Sequence, residues 1–180
     1  RATNPCGEQP LPAYGCCDLG SLNLTRFVER PFSGQPGFDF ARMRDVAAIG
    51  VRMLDLVLDA GEWPLPQQAH EASAKRRVGL GFLGLGSALV MLGIRYDSEE
   101  GRAMATRIAT EMRDAAYGAS VQLAMEKGAF PLFDRERYLD SQFVRRLPAA
   151  LRDAIAEHGI RNSHLLSIAP TGTISLAFAS

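Results

Sequence analysis

The run Val78-Gly-Leu-Gly-Phe-Leu-Gly-Leu-Gly86 constrains this chain more than any other segment. It is apolar, carries four glycines in nine residues, and follows the basic triplet Lys75-Arg-Arg77. Such a run reads as a buried strand that enters a helix at Ser87–Leu92, with glycines where another backbone approaches closely. Long helical patterns flank it. Asp39 can cap a helix to about Ala60, with Val46, Gly50, Met53, Leu54 and Val57 on one face and Gly61 as the stop. A polar helical segment covers about 67–76. Ser98 can cap a helix over roughly 99–127, where Met104, Ile108, Met112, Ala116, Ala119 and Leu123 recur at helical spacing before Gly128. Pro148 opens a further helix and Gly159 closes it. Residues 164–169 read as a second buried strand and 170–175 as a turn. Residues 1–20 read as a loop, 21–28 as a short strand or helix start, and 30–37 as a polar turn. The alternation predicts an α/β protein with parallel strands, and two or three strands are too few for a complete sheet or barrel.

Composition narrows the function classes. The 180 residues hold 20 Lys+Arg and 20 Asp+Glu, so the chain lacks the basic excess of a general nucleic-acid binder. No apolar run is long enough for a membrane span. The start, Arg1-Ala-Thr-Asn-Pro-Cys6, has neither an initiator Met nor a signal peptide, and Ser167–Ser180 ends without a cap, so both ends are expected to be cuts in a longer chain. Three cysteines, Cys6, Cys16 and Cys17, fit a cytosolic redox or catalytic use better than a secreted disulfide scaffold.

Asn4-Pro-Cys6-Gly-Glu8 sets an amide, a thiol and a carboxylate on alternate residues, which face one way in an extended loop. No His lies in the first 69 residues and Glu8 is negative, so Cys6 is expected to stay a neutral S–H, a good hydrogen-atom donor. Glu8 could act as general base on a substrate hydroxyl, and Asn4 could hold the substrate through its amide. The same residues also fit an ordinary turn with Asn4 capping, Cys6 buried and Glu8 solvated. Cys16-Cys17 is a vicinal pair that bonds to itself only with strain, so exchange with a distant thiol competes with a reading as two small buried hydrophobes. The Cys-x9-Cys-Cys spacing does not suit zinc, and no metal site is expected. Thr171-Gly-Thr-Ile-Ser175 offers hydroxyls and converging backbone N–H groups, an uncharged phosphate cradle or an ordinary helix start.

Gly79-Leu-Gly81-Phe-Leu-Gly84 fits the dinucleotide pattern G-x-G-x-x-G, which keeps a nicotinamide-dependent dehydrogenase as an alternative. The basic residues before it and the lack of a well-placed acid about 20 positions on argue against it. Lys75-Arg-Arg77 reads as a solvated face, with an anion contact as the lesser alternative. His70, His158 and His164 are scattered and read as structural, and Trp63 as packing a helix end. A non-catalytic nucleotide-binding fragment is the other alternative.

Asn4-Pro-Cys-Gly-Glu-Gln-Pro-Leu11, Cys17-Asp-Leu-Gly-Ser-Leu-Asn-Leu24, Arg77-Val-Gly-Leu-Gly-Phe82 and Arg161-Asn-Ser-His-Leu-Leu-Ser-Ile-Ala-Pro-Thr-Gly-Thr-Ile-Ser-Leu176 together resemble the catalytic subunit of ribonucleotide reductases. The Pro and Gly within the first motif and the Gln-Pro-Leu after it look like the adenosylcobalamin-dependent class. The resemblance implies part of a ten-stranded α/β barrel, all 180 residues forming one partial catalytic domain with a finger loop over 1–20 and a phosphate-binding turn over 167–176. It implies reduction of ribonucleotides to 2′-deoxyribonucleotides, supplying DNA precursors. Cys6 would be the thiyl site, generated after Co–C homolysis of adenosylcobalamin yields a 5′-deoxyadenosyl radical. Cys6 would abstract the ribose 3′-hydrogen, Glu8 would take the 3′-hydroxyl proton, Asn4 would bind the ribose hydroxyls, and the 2′-hydroxyl would leave as water. Cys17 matches one of two reducing cysteines whose partner lies upstream; Cys16 has no assigned role. Thr171, Gly172, Thr173, Ile174 and Ser175 would hold the substrate phosphates. The partners implied are a ribonucleoside di- or triphosphate, nucleotide effectors acting through regions outside this chain and a thioredoxin-like reductant. The implied parent is a cytoplasmic homodimer, and this chain alone would not turn over.

Overall fold

A computed structural model of the chain describes residues 2–180. The elements in order are β1 (Ala2–Thr3), β2 (Pro10–Leu11), β3 (Asp18–Asn23), β4 (Val28–Glu29), β5 (Gly37–Phe38), α1 (Phe40–Ala60), α2 (Pro66–Lys75), β6 (Val78–Leu83), α3 (Leu85–Met91), α4 (Glu99–Lys127), α5 (Arg135–Asp140), α6 (Ala149–His158) and α7 (Gly172–Phe178). Short 3-10 turns cover Leu24–Phe27 and Val144–Arg146. Local sequence chemistry sets the helix ends. Asp39 accepts from Arg42 N at the start of α1, Ser98 accepts from Gly101 N at the start of α4, and Asp134 does the same for α5. Gly128 and Gly159, at positive φ, end α4 and α6.

The centre is a parallel pair. β3 runs beside β6 with Asp18 opposite Val78 and Asn23 opposite Leu83. The segment 164–167 runs along the other edge of β6, parallel, with Val78 N donating to His164 O (3.1 Å), Leu80 N to Leu165 O (2.7 Å) and Ser167 N to Leu80 O (3.0 Å). The strand expected over 164–169 thus forms a single bridge, at Leu166, and Ile168 is exposed. The glycines of β6 make this third line possible. A Cβ on Gly81 would overlap the Ser167 carbonyl oxygen, and one on Gly79 would come within 2.8 Å of Ser167 Cβ. Gly50 plays the same part for α1, where a Cβ would lie 3.1 Å from Leu80 Cδ1.

α1 covers this sheet and α4 lies along α1. The core holds Met43, Ala47, Val51, Leu54 and Leu58 of α1, Val78 and Leu80 of β6, and Ile108, Met112, Ala116 and Val121 of α4. Arg44–Glu111 (2.7 Å) and Arg52–Glu126 (2.6 Å) join the two helices at the surface. The α1 face expected from the sequence is rotated: Met53 and Val57 are exposed, and Met43, Ala47 and Val51 are inside. The ring of Trp63 packs at the end of α1, 3.7 Å from the Cβ position of Gly61, as expected.

Three further expectations are corrected. Residues 1–20 are not all loop, because β1 and β2 pair antiparallel (Ala2 with Leu11, Thr3 with Pro10) and β3 starts at Asp18. Residues 172–175 are the first turn of α7 rather than a free turn. Lys75-Arg-Arg77 is not a solvated face, since Arg76 and Arg77 are 6% and 9% exposed. Arg76 Nε donates to Asp55 Oδ1 (2.9 Å), and its Nη2 pairs with Asp59 (2.8 Å). Asn162 Nδ2 donates to Asp55 Oδ1 (3.0 Å) and its Oδ1 accepts from Ser120 Oγ (2.9 Å). This buried network ties α1, α2, α4 and the segment before residue 164 together. Among the described residues no helix is long and apolar enough to cross a membrane.

Two stability outcomes follow from the packing. Gly81→Ala loses about 3 kcal/mol because the Ser167 backbone has to move, whereas Gly86→Ala, with nothing within 4 Å of its Cβ, is neutral or slightly stabilising; urea unfolding separates them. Asp55→Ala leaves the buried Arg76 guanidinium with Asp59 alone and takes a partner from Asn162 Nδ2, and costs about 3 kcal/mol in the same measurement.

Candidate active site

The β1–β2 hairpin closes on a tight turn. Asn4 N donates to Gln9 O (3.1 Å), Gln9 N donates to Asn4 Oδ1 (3.0 Å) and Gly7 N donates to Asn4 O (3.0 Å). Gly7 takes φ +81, which only glycine holds without strain. The sequence predicted that Asn4, Cys6 and Glu8 share a face by alternation in an extended loop. The chain turns back instead, and the turn, not the alternation, brings Asn4 to Glu8, with Nδ2 donating to Oε1 at 2.6 Å. Asn4 therefore uses both halves of its amide to fix Gln9 and Glu8. Cys6 stands at the tip of the turn as an exposed free thiol, not the buried one of an ordinary packed turn.

Glu8 is left in an unusual condition. Oε1 is held by Asn4, while Oε2 is buried with no partner among the described residues. A buried carboxylate oxygen without a donor is costly, so this atom is open to a donor that the described residues do not supply.

Cys16 and Cys17 are both free and partly buried, with no bond between them. Burial pushes the Cys17 thiol up to about 11; Arg77 opposes this, and Asp18, Glu8 and Cys16 add to it. Burial and Glu71 also raise Cys16. Glu8 thus acts electrostatically on Cys17, which places the turn and the start of β3 in one neighbourhood.

At the other end, Thr171 adopts left-handed φ +58 and precedes α7 without a side-chain cap. Ser175 Oγ donates to Gly172 O (2.7 Å), so this hydroxyl is turned onto its own helix. Gly172, Thr173 and Ile174 are exposed. The structure brings Asn4 and Glu8 together and sets Cys17 near Glu8, but forms no hydrogen bond between Cys6 and residues 171–175. The tie between the two regions is Gln9, 4% exposed, whose Nε2 approaches Leu166 O at 3.5 Å.

Sequence reasoning gave Gln9 no role of its own, although it stands inside the Asn4–Leu11 motif, and read Arg77 within a solvated basic face with an anion contact only as the lesser alternative. Arg77 lines a cavity of about 790 Å³ with Pro10, Lys75, Arg137, Tyr138 and His164. His164 keeps part of its surface open, yet crowding of its ring, with the charges of Arg77 and Lys75, holds its pKa down at about 4. Among the described residues no group of three or more His, Cys, Asp or Glu could hold a metal ion. Gly79 and Gly81 lie inside β6 against Ser167 rather than in a loop at a helix start, which removes the dinucleotide reading.

Comparison with known proteins identifies the family. Residues 1–180 match the family described as ribonucleotide reductase, barrel domain. A vitamin B12-dependent ribonucleoside-diphosphate reductase of Mycobacterium tuberculosis is 44% identical over 176 residues, covering 98% of this chain and 22% of its own length. The protein of that name from Thermoplasma acidophilum is 35% identical over 98% of this chain and 20% of its own. A ribonucleoside-diphosphate reductase large subunit of human herpesvirus 2 is 34% identical over 94% of this chain and 16% of its own. The chain spans about a fifth of the length of these relatives. Its segments from the Cys6 turn to α7 are one continuous match, and the chain belongs to the ribonucleotide reductase barrel-domain family.

Proposed function

We propose that this chain forms the radical and redox part of an adenosylcobalamin-dependent ribonucleotide reductase. The observation that carries the reading is Glu8: one oxygen is fixed by Asn4, the other is buried without a donor, and an exposed thiol stands two residues away. The substrate is a ribonucleoside di- or triphosphate. β3, β6 and 164–167 are part of the wall of the ten-stranded barrel, and the Cys6 hairpin is its finger loop.

The residues fit adenosylcobalamin, because the thiol it has to reach is exposed at the tip of the turn. When bound, that group would supply the one-electron oxidising chemistry by which Cys6 gives up its hydrogen atom. Cys6 Sγ then takes the ribose 3′-hydrogen. Glu8 Oε2 accepts the 3′-hydroxyl proton as general base, while Asn4 keeps Oε1 from rotating away. The 2′-hydroxyl leaves as water. Two electrons come from Cys17 and a partner thiol elsewhere in the polypeptide, which join as a disulfide, and Cys6 returns its hydrogen atom to the 3′ carbon. Thr171, Gly172, Thr173, Ile174 and Ser175 hold the phosphates through backbone N–H groups at the start of α7. The whole enzyme is a cytoplasmic homodimer with nucleotide effectors and a thioredoxin-like reductant.

Two outcomes test this reading. In the full-length enzyme, Cys6→Ser abolishes deoxynucleotide formation while a ribonucleotide still binds in a filter assay; retained turnover removes Cys6 from its role. Cys17 is a protonated thiol at neutral pH. Its alkylation by iodoacetamide, followed by peptide mass spectrometry, therefore stays slow through neutrality and climbs toward a midpoint near pH 11.

A further inference from the structure

The parallel register places Asp18 opposite Val78, so the preceding residues, Cys17 and Arg77, enter the β3–β6 pair side by side. The two adjacent arginines are buried alike and treated differently. Arg76 meets two carboxylates, Asp55 and Asp59, each at 2.8 Å. Arg77, 9% exposed, joins no ion pair among the described residues; its Nη1 donates to Pro10 O at 3.2 Å. A buried guanidinium without a counter-ion is costly to keep, and the cost is repaid only if an anion forms beside it. The titratable groups acting on Cys17 are Arg77, Asp18, Glu8 and Cys16, and Arg77 is the one cation among them. The cavity of about 790 Å³ beside Arg77 is lined also by Lys75, which pairs with Glu71, by Arg137 and by a His164 that is neutral at neutral pH, and by no carboxylate, so Arg77 and Arg137 are the charges an incoming thiolate meets there.

We propose that Arg77 is a positioning residue for the redox step, stabilising the Cys17 thiolate released when an external dithiol opens the Cys17 disulfide. The proposal rests on the redox role given to Cys17 above. In the step, a thiolate of the dithiol attacks the partner sulfur of that disulfide. The Cys17 S–S bond breaks, and its electron pair leaves on Cys17 Sγ, facing the guanidinium. The second thiol of the dithiol then closes its own disulfide, releasing the partner cysteine, and Cys17 takes a proton from solvent. A better stabilised leaving thiolate departs faster. At rest Cys17 is protonated, burial lowers the Arg77 pKa, and Glu71 offsets this only from a distance, without an ion pair; the Cys17–Arg77 charge pair exists only while the step proceeds.

The test uses the full-length enzyme with Arg77→Met and Arg77→Lys, oxidised by one round of turnover and re-reduced with dithiothreitol at neutral pH. Arg77→Met slows the return of the Cys17 thiol about tenfold, whereas Arg77→Lys keeps the rate within about threefold. The first turnover of pre-reduced enzyme keeps its rate in both variants, and the Cys17 alkylation midpoint rises in Arg77→Met alone. Equal slowing in both variants overturns the proposal. So does a first turnover that falls in step with re-reduction, because Arg77 would then merely hold β2 against β6. Unchanged re-reduction in Arg77→Met overturns it as well. A wild-type enzyme that makes no deoxynucleotide counts against the ribonucleotide reading instead; the oxidised state is then made with diamide, and the alkylation midpoint still reports on the Cys17–Arg77 pair.

Discussion

The backbone contact between β6 and Ser167 is the constraint on which the rest depends. Leu80 exchanges hydrogen bonds with the 165–167 segment on one edge, while β6 pairs with β3 on the other. Only glycine at 79 and 81 leaves room for that third line. Three chain regions far apart in sequence converge there: the start of β3 with Cys17, β6 with Arg77 before it, and the segment that leads into α7. Gln9 reaches the same place, between Gly79 and Leu166 O, and carries the hairpin with it. A side chain at 81 would therefore do more than weaken a strand. It would separate the thiol turn from the segment running to residue 171.

Behind this sheet a buried charged network does a similar job from the other side. Asp55 on α1 gathers Arg76 and Asn162, and Asn162 reaches Ser120 on α4. Its members come from four separate regions, so it fixes how α1, α2, α4 and the 161–164 segment sit. Because Arg76 is locked by it, the next residue, Arg77, has a fixed direction without a carboxylate of its own. Packing of one arginine thus sets the electrostatics of its neighbour.

What the sequence revealed divides by range. Helices α1, α4 and α6 were legible because their ends are local: Asp39 and Ser98 bond to backbone N–H groups three residues on, and Gly128 and Gly159 stop the chain at positive φ. The β6 run was legible because its glycines have no other use. The face of α1 was misread because the helix carries two apolar stripes, one with Met43, Ala47 and Val51 and one with Ile49, Met53 and Val57, and periodicity cannot choose between them. α5 spans only six residues, too few for a period to show. The burial of Arg76 and Arg77 depends on Asp55, 21 residues from Arg76, and on Pro10, 67 residues from Arg77. Neither partner is visible in a window around the triplet. At the site, the residue types of Asn4, Cys6 and Glu8 were readable but their arrangement was not. Alternation suggested three parallel side chains, and the glycine at φ +81 folds them into a turn instead.

The thiols of this chain face opposite demands in the proposed chemistry. Hydrogen-atom transfer at Cys6 needs an intact S–H, and a thiolate there would be useless. Reduction through Cys17 also begins from S–H, yet its renewal requires the sulfur to carry negative charge for a moment. A permanently lowered thiol would serve the second need and defeat the first. Burial with carboxylates nearby keeps Cys17 protonated at about 11, and a single cation at the facing strand position is available when charge appears. In that proposal the register of the two strands, whose first pair is Asp18 with Val78, keeps the cation beside the thiol whether or not the charge is present, so the resting state stays neutral and the transient one is stabilised.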